Sequence, residues 1–284
     1  MIRFAAFLVF VCLSASVLAD DAAPHPYAAD ADAMTETDAA LDRAEERGTR
    51  LLLVFGANWC HDSVGLADHF SQADMAALIA EHYELVYVDI GWRERNIDVL
   101  HRFGAAATYG TPTVLIYDPV LGLLNGDTMH SWHTAYSRSH DAVLEYFTVW
   151  ADARPGTSLA QSTQVYAGLV EDIDAWEAAQ AERLNQAYVT HAAWRAELGG
   201  DNTAYGDADF VAAEREIDQH RSMLRSDRDD LYFQAAERVR EALMVEADGG
   251  ALDFAVAARV DASEPDIHLE FPVYPPMLFS WADR

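Results

Sequence analysis

Three short apolar runs, spaced so that helix-length segments fit between them, constrain this chain more than any other feature. They are RLLLVFG (50–56), ELVYVDI (84–90) and the TVLIY of YGTPTVLIYDP (109–119). Runs of this length without polar alternation are expected of strands covered on both faces. Thr35 opens a helix ahead of the first run, with Asp38 as its capping-box partner and Gly48 as its stop. Further helices are predicted from about Cys60 to Phe70, from Ala73 to Tyr83 and around Asn96–Phe103. LLNGDTMHSW (123–132) reads as a hairpin partner of the third run, turning at Asn125-Gly126. Ser139 caps a helix whose Val143, Phe147 and Trp150 share one stripe. This alternation implies parallel pairing early and an antiparallel hairpin late, an α/β fold with a mixed central sheet.

ADARPGTS (151–158) reads as a linker, and beyond it the pattern is helical. Val165, Leu169, Ile173 and Trp176 form a stripe continued by Leu184, Tyr188, His191, Trp194 and Leu198, in one long helix or two in line, ended by Gly199-Gly200. Phe210, Ile217 and Leu224 mark another helix, and Leu231, Ala235, Val239 and Leu243 a fourth. Tyr166, Trp176, Tyr188 and Trp194 read as packing residues. The tail from Ser263 holds four of the nine prolines and reads as an extended strap lying in a groove.

At the other end, Arg3, the apolar Phe4 to Leu13 and the small-residue site Val17-Leu18-Ala19 make a cleavable secretory signal peptide. The protein is therefore expected to be periplasmic or otherwise exported, cleaved near Ala19. The organisation is a signal peptide at 1–19, a flexible linker at 20–34, an α/β domain at 35–152 and a helical C-terminal domain at 153–284. The net charge is −28 and all 19 basic residues are arginine. Such a surface repels nucleic acid and anionic membranes, so neither is expected as a partner once the signal is removed. Oligomeric state stays open.

Of the two cysteines, Cys12 falls in the signal peptide, which leaves Cys60 alone in the mature chain. A lone thiol in an oxidising compartment is reactive or intermolecular by default. At a helix start, Cys60 meets unpaired N–H groups and the positive end of the dipole, both of which favour the thiolate. A protonated His61 would push the same way and Asp62 the opposite way. His130, His133 and His140 fall close together, but a closed zinc site needs four well-placed ligands, so no metal and no cofactor are assigned.

The strand LLLVFGANWC, the helix beginning at its cysteine, and Thr111-Pro112 ahead of a later strand together resemble the thioredoxin superfamily, in the form of exported thioredoxin-like proteins with a degenerate active site. The resemblance covers roughly residues 35–152 and implies the family's three-layer fold, here followed by an α-helical extension. It also implies an active site, Cys60-His61-Asp62-Ser63, in which Ser63 occupies the place of the resolving cysteine. Val54 stands where two-cysteine members keep a buried aspartate. Cys60 would be the nucleophile, His61 its activator and Ser63 a hydrogen-bond donor to the sulfur. Thr111-Pro112 would form a cis-proline loop that seats the substrate, and Trp59 would flank the groove. The implied activity is monothiol exchange with protein or low-molecular-weight thiols and disulfides. The alternative is a redox-inactive binding or assembly module that uses the acidic helical extension.

Overall fold

The computed structural model describes residues 26–29, 31–152, 158–275 and 279–283. The signal peptide read at 1–19, residues 20–25 and 30 of the linker read at 20–34, and the core of the linker read at 151–158 lie outside them.

All three apolar runs are strands. β1 (Arg50–Gly56) is buried at every position and sits inside the sheet, parallel to β2 (Tyr83–Asp89) and antiparallel to β3 (Thr113–Asp118). With β4 (Gly122–Leu123) the strand order is β2-β1-β3-β4. The period of two along β1 divides its side chains between two cores. Leu51, Leu53 and Phe55 pack under α1 (Ala33–Arg47) and α4 (Ile97–Arg102). Leu52 and Val54 face α2 (His61–Ser71), α3 (Ala73–His82) and α5 (His140–Asp152). The result is three layers around a mixed sheet.

Local chemistry moves some boundaries. Asp32, not Thr35, caps α1, its carboxylate accepting from the Thr35 amide at 3.1 Å and the Thr35 hydroxyl at 2.9 Å. Gly48 ends that helix in the left-handed conformation, φ 65°. The segment read as flexible linker contributes Tyr27 to the core, where it is 2% exposed and meets Tyr87 edge to face.

The hairpin read at Asn125-Gly126 is a correction. The turn comes earlier, over 119–121, where Asp118 Oδ1 accepts from the amides of Val120 and Leu121. Asn125 is buried instead, its side chain accepting from Ile116 N at 2.8 Å and donating to Val114 O at 2.9 Å. One amide thus closes the β3 edge where a strand would otherwise continue.

The extension is built on two long helices, α6 (Gln164–Glu197) and, after the short α7 (Asp201–Ala204), α8 (Ala208–Ala247). α8 is one 40-residue helix where two were expected, because no glycine or proline interrupts it between Leu224 and Leu231. α6 and α8 run antiparallel: Ile173 meets Leu231 near one end, and His191 stacks on Phe210 at the other. A further helix, α9 (Phe254–Ser263), was not anticipated. The tail beyond it has no helix or strand over its described residues 264–275 and a 3-10 turn at Ser280–Asp283, and it is held by Trp176 Nε1 on Pro272 O and by Glu216, which accepts from the Trp281 indole. No described helix is long and apolar enough to cross a membrane.

Candidate functional site

Cys60 is the N-cap of α2, with extended backbone angles (φ −93°, ψ 118°). Its amide donates to Ala57 O at 3.1 Å, and its carbonyl accepts from Val64 N at 3.1 Å. Cys60 thus stands at the positive end of the helix, although its side chain makes no capping hydrogen bond to the first turn. Across the site the Thr111–Pro112 peptide is cis, and the Cys60 sulfur donates to Thr111 O at 3.3 Å. Only 8% of Cys60 is exposed.

The neighbours of the cysteine divide in direction. His61 is exposed, its Nε2 3.2 Å from Asp62 Oδ2 and its ring edge-on to Tyr136. Asp62 is buried, and its Oδ1 accepts from Tyr136 N at 2.9 Å, tying the 3-10 turn Ser131–Ser137 to the start of α2. Gly65 lets that turn approach, since a Cβ there would lie 3.0 Å from Tyr136 Cα.

Ser63 departs from its expected role. Its hydroxyl accepts from Ala57 N at 3.4 Å, while the bond from the sulfur goes to Thr111. Gly56 and Tyr27 hold the serine there. A Cβ at Gly56 would lie 2.6 Å from both Ser63 Oγ and the Tyr27 hydroxyl, and that hydroxyl donates to Ser63 O at 3.4 Å. Val54 is fully buried in the same core.

Trp59 is exposed and stacks on Trp92, with ring centroids 4.8 Å apart and planes 12° apart; its Nε1 donates to Gly91 O.

A model of a family described as thioredoxin-like matches residues 32–119. This segment belongs to the thioredoxin superfamily. A crystal structure of a disulphide isomerase from Xylella fastidiosa Temecula1 is 29% identical over 45% of this chain and 98% of that one, with a TM-score of 0.43. No curated protein matches the chain.

What the sequence did not disclose is that the extension reaches the active-site face of the thioredoxin-like domain. Tyr188 of α6 donates to Thr108 O at 2.8 Å, and Arg221 of α8 reaches Tyr109 O at 3.4 Å, so both grip the backbone just before the cis-proline. Arg195 of α6 lies 4.0 Å over the Trp92 ring. Ala107 and Tyr109 share a core with Ala181, Leu184 and Tyr188. Tyr188 carried a signal only as a packing residue. Arg195 and Arg221 carried none, because in sequence they are two arginines on acidic helices.

Of the three histidines singled out in the sequence, His130 is buried against Tyr109, with Nδ1 3.1 Å from Thr113 Oγ1. His133 bonds the His130 carbonyl, and His140 pairs with Asp74 at 2.9 Å and stacks on His69. The three are held by different partners.

Proposed function

We propose that this is an exported protein that performs thiol–disulfide exchange through a single sulfur. One juxtaposition carries the reading: Cys60 caps α2 and directs its sulfur to the carbonyl that precedes the cis-proline. In the reaction the Cys60 thiolate attacks one sulfur of a disulfide. A Cys60–partner S–S bond forms, the original S–S bond breaks, and the second sulfur leaves with the electron pair as a thiolate. With Ser63 in place of a resolving cysteine, the adduct waits for an outside thiol to release it. The positive end of α2 supplies a field that favours attack.

The burial of Cys60, only 8% exposed, favours a second reading, a redox-inactive binding module on the same fold. Alkylation separates the two. On the exchange reading, iodoacetamide modifies the native protein at pH 6 faster than it modifies free cysteine, and Cys60→Ala abolishes the product. Alkylation of the native protein no faster than free cysteine would leave the binding module as the better account.

A further inference from the structure

Arg93, which lies within electrostatic reach of Cys60, and two arginines of α8 differ from the others in the molecule. Carboxylates outnumber arginines 47 to 19, and other well-buried arginines take one or more. Arg195 pairs with Asp201 and Glu214 at 3.0 Å, and Arg228 pairs with Glu177 at 2.6 Å. Arg93 makes no ion pair among the described residues. Its backbone is held at φ 90°, its guanidinium lies 5.2 Å from the Trp59 ring centroid, and its Nε is buried without a hydrogen-bond partner. Conformations of this kind are strained for a residue with a Cβ and persist where the surroundings impose them, often at functional sites.

On the other side of the site, α8 presents Arg221 and Arg225 one turn apart. Arg221 reaches the cis-proline loop at Tyr109 O and has Asp218 at 2.9 Å as its one carboxylate, while its Nε is also buried and unpartnered. Arg225 makes no ion pair among the described residues. The groups lie close enough to repel: burial and then Arg221 lower the pKa of Arg93, and the same two causes lower that of Arg225. Asp218 acts on Arg93 and Asp229 on Arg225 in the opposite direction, but neither carboxylate forms an ion pair with that arginine.

We propose that Arg93, Arg221 and Arg225 form an anion-recognising wall beside Cys60 that selects disulfide partners carrying a carboxylate or similar anion close to the reacting sulfur. This rests on Cys60 being the exchanging thiol. The wall binds the partner's anion as the Cys60–S–S–partner bond forms and the leaving thiolate departs. The helical extension thereby sets substrate choice, since two of its three arginines lie on α8.

The test compares two disulfide probes, the anionic 5,5′-dithiobis(2-nitrobenzoate) and the neutral 4,4′-dithiodipyridine, each rate being divided by that of free 2-mercaptoethanol with the same probe. The wild-type protein is expected to favour the anionic probe about tenfold at low salt, against the field of its own −28 charge, and to lose the preference in 0.5 M NaCl. Arg93→Met, and separately the Arg221→Met/Arg225→Met pair, should each remove most of the preference. Arg240→Met, an exposed arginine paired with Glu237 farther along α8, should keep it. Equal normalised rates for the two probes in the wild type would overturn the wall and leave the exchange reading standing. Equal slowing of both probes in both variants would make the arginines counter-ions of the thiolate and overturn their selective role. Reaction with neither probe, while the unfolded chain reacts with both, would remove the exchange reading and the wall with it.

Discussion

At residue scale the site is defined by where two hydroxyl-bearing neighbours of Cys60 direct their atoms. Thr111 offers its carbonyl to the sulfur across 51 residues of sequence, whereas Ser63, three residues away, turns to Ala57. Val54 is apolar where a proton acceptor would serve a resolving thiol. Ser63→Cys is therefore expected to restore self-release: mixed disulfides on Cys60 should shorten in lifetime, and an internal disulfide between Cys60 and the introduced cysteine should appear in the mass spectrum. Adducts equally long-lived in this variant would mean that the serine is not what prevents release. The positions of Cys60 and Thr111 were legible through the family pattern, since the strand, the helix start and the Thr-Pro pair occur in order. The direction of Ser63 was not, because it depends on Tyr27 filling the space over Gly56, a contact between segments with no shared pattern.

At the scale of elements, apolar runs of strand length are legible because burial on both faces leaves a continuous signal. Asn125 is not, because Asn-Gly is equally the signature of a tight turn, and nothing local says that its amide is buried against β3. Asn125→Ala should strand the Ile116 amide and the Val114 carbonyl, costing about 2–5 kcal/mol in total for two buried backbone groups. Urea unfolding measures this, and a loss below about 1 kcal/mol would show that the side chain is not closing the sheet edge. The division of α8 into two helices has a similar origin: SDRDD looks like a break by polarity, yet it contains no helix breaker and includes the buried Arg228.

At the scale of the whole molecule the extension is joined to the thioredoxin-like domain through charge as well as apolar area. Arg228 is buried, with Nε on Glu177 Oε2 at 2.6 Å and Nη2 on Gly126 O at 2.6 Å, so one side chain bridges α6, α8 and the end of the sheet. Arg228→Met should cost about 3–5 kcal/mol by leaving Glu177 buried and unpaired, and Arg228→Met/Glu177→Met should recover most of it. A double variant no better than the single would place the cost in the lost contact to Gly126.

The buried histidines set a pH dependence. Burial, then Arg228, Arg225 and His133, lowers the pKa of His130; burial first of all lowers those of His191 and His220. Each is harder to protonate in the fold than in the unfolded chain, so below pH of about 6.5 the unfolded chain binds more protons than the native state. Stability should then fall with decreasing pH, by up to about 1.4 kcal/mol per pH unit for each such proton. Urea unfolding at pH 7.5, 6 and 5 checks this, and a flat profile would contradict it.

The central claim, a site that attacks but cannot release, is tested most directly by intact-mass spectrometry of the native protein mixed with oxidised glutathione. The account predicts one glutathione on Cys60, stable after the excess is removed and lost only when an outside thiol is added. A native protein that stays unmodified while its unfolded form is readily modified would contradict it.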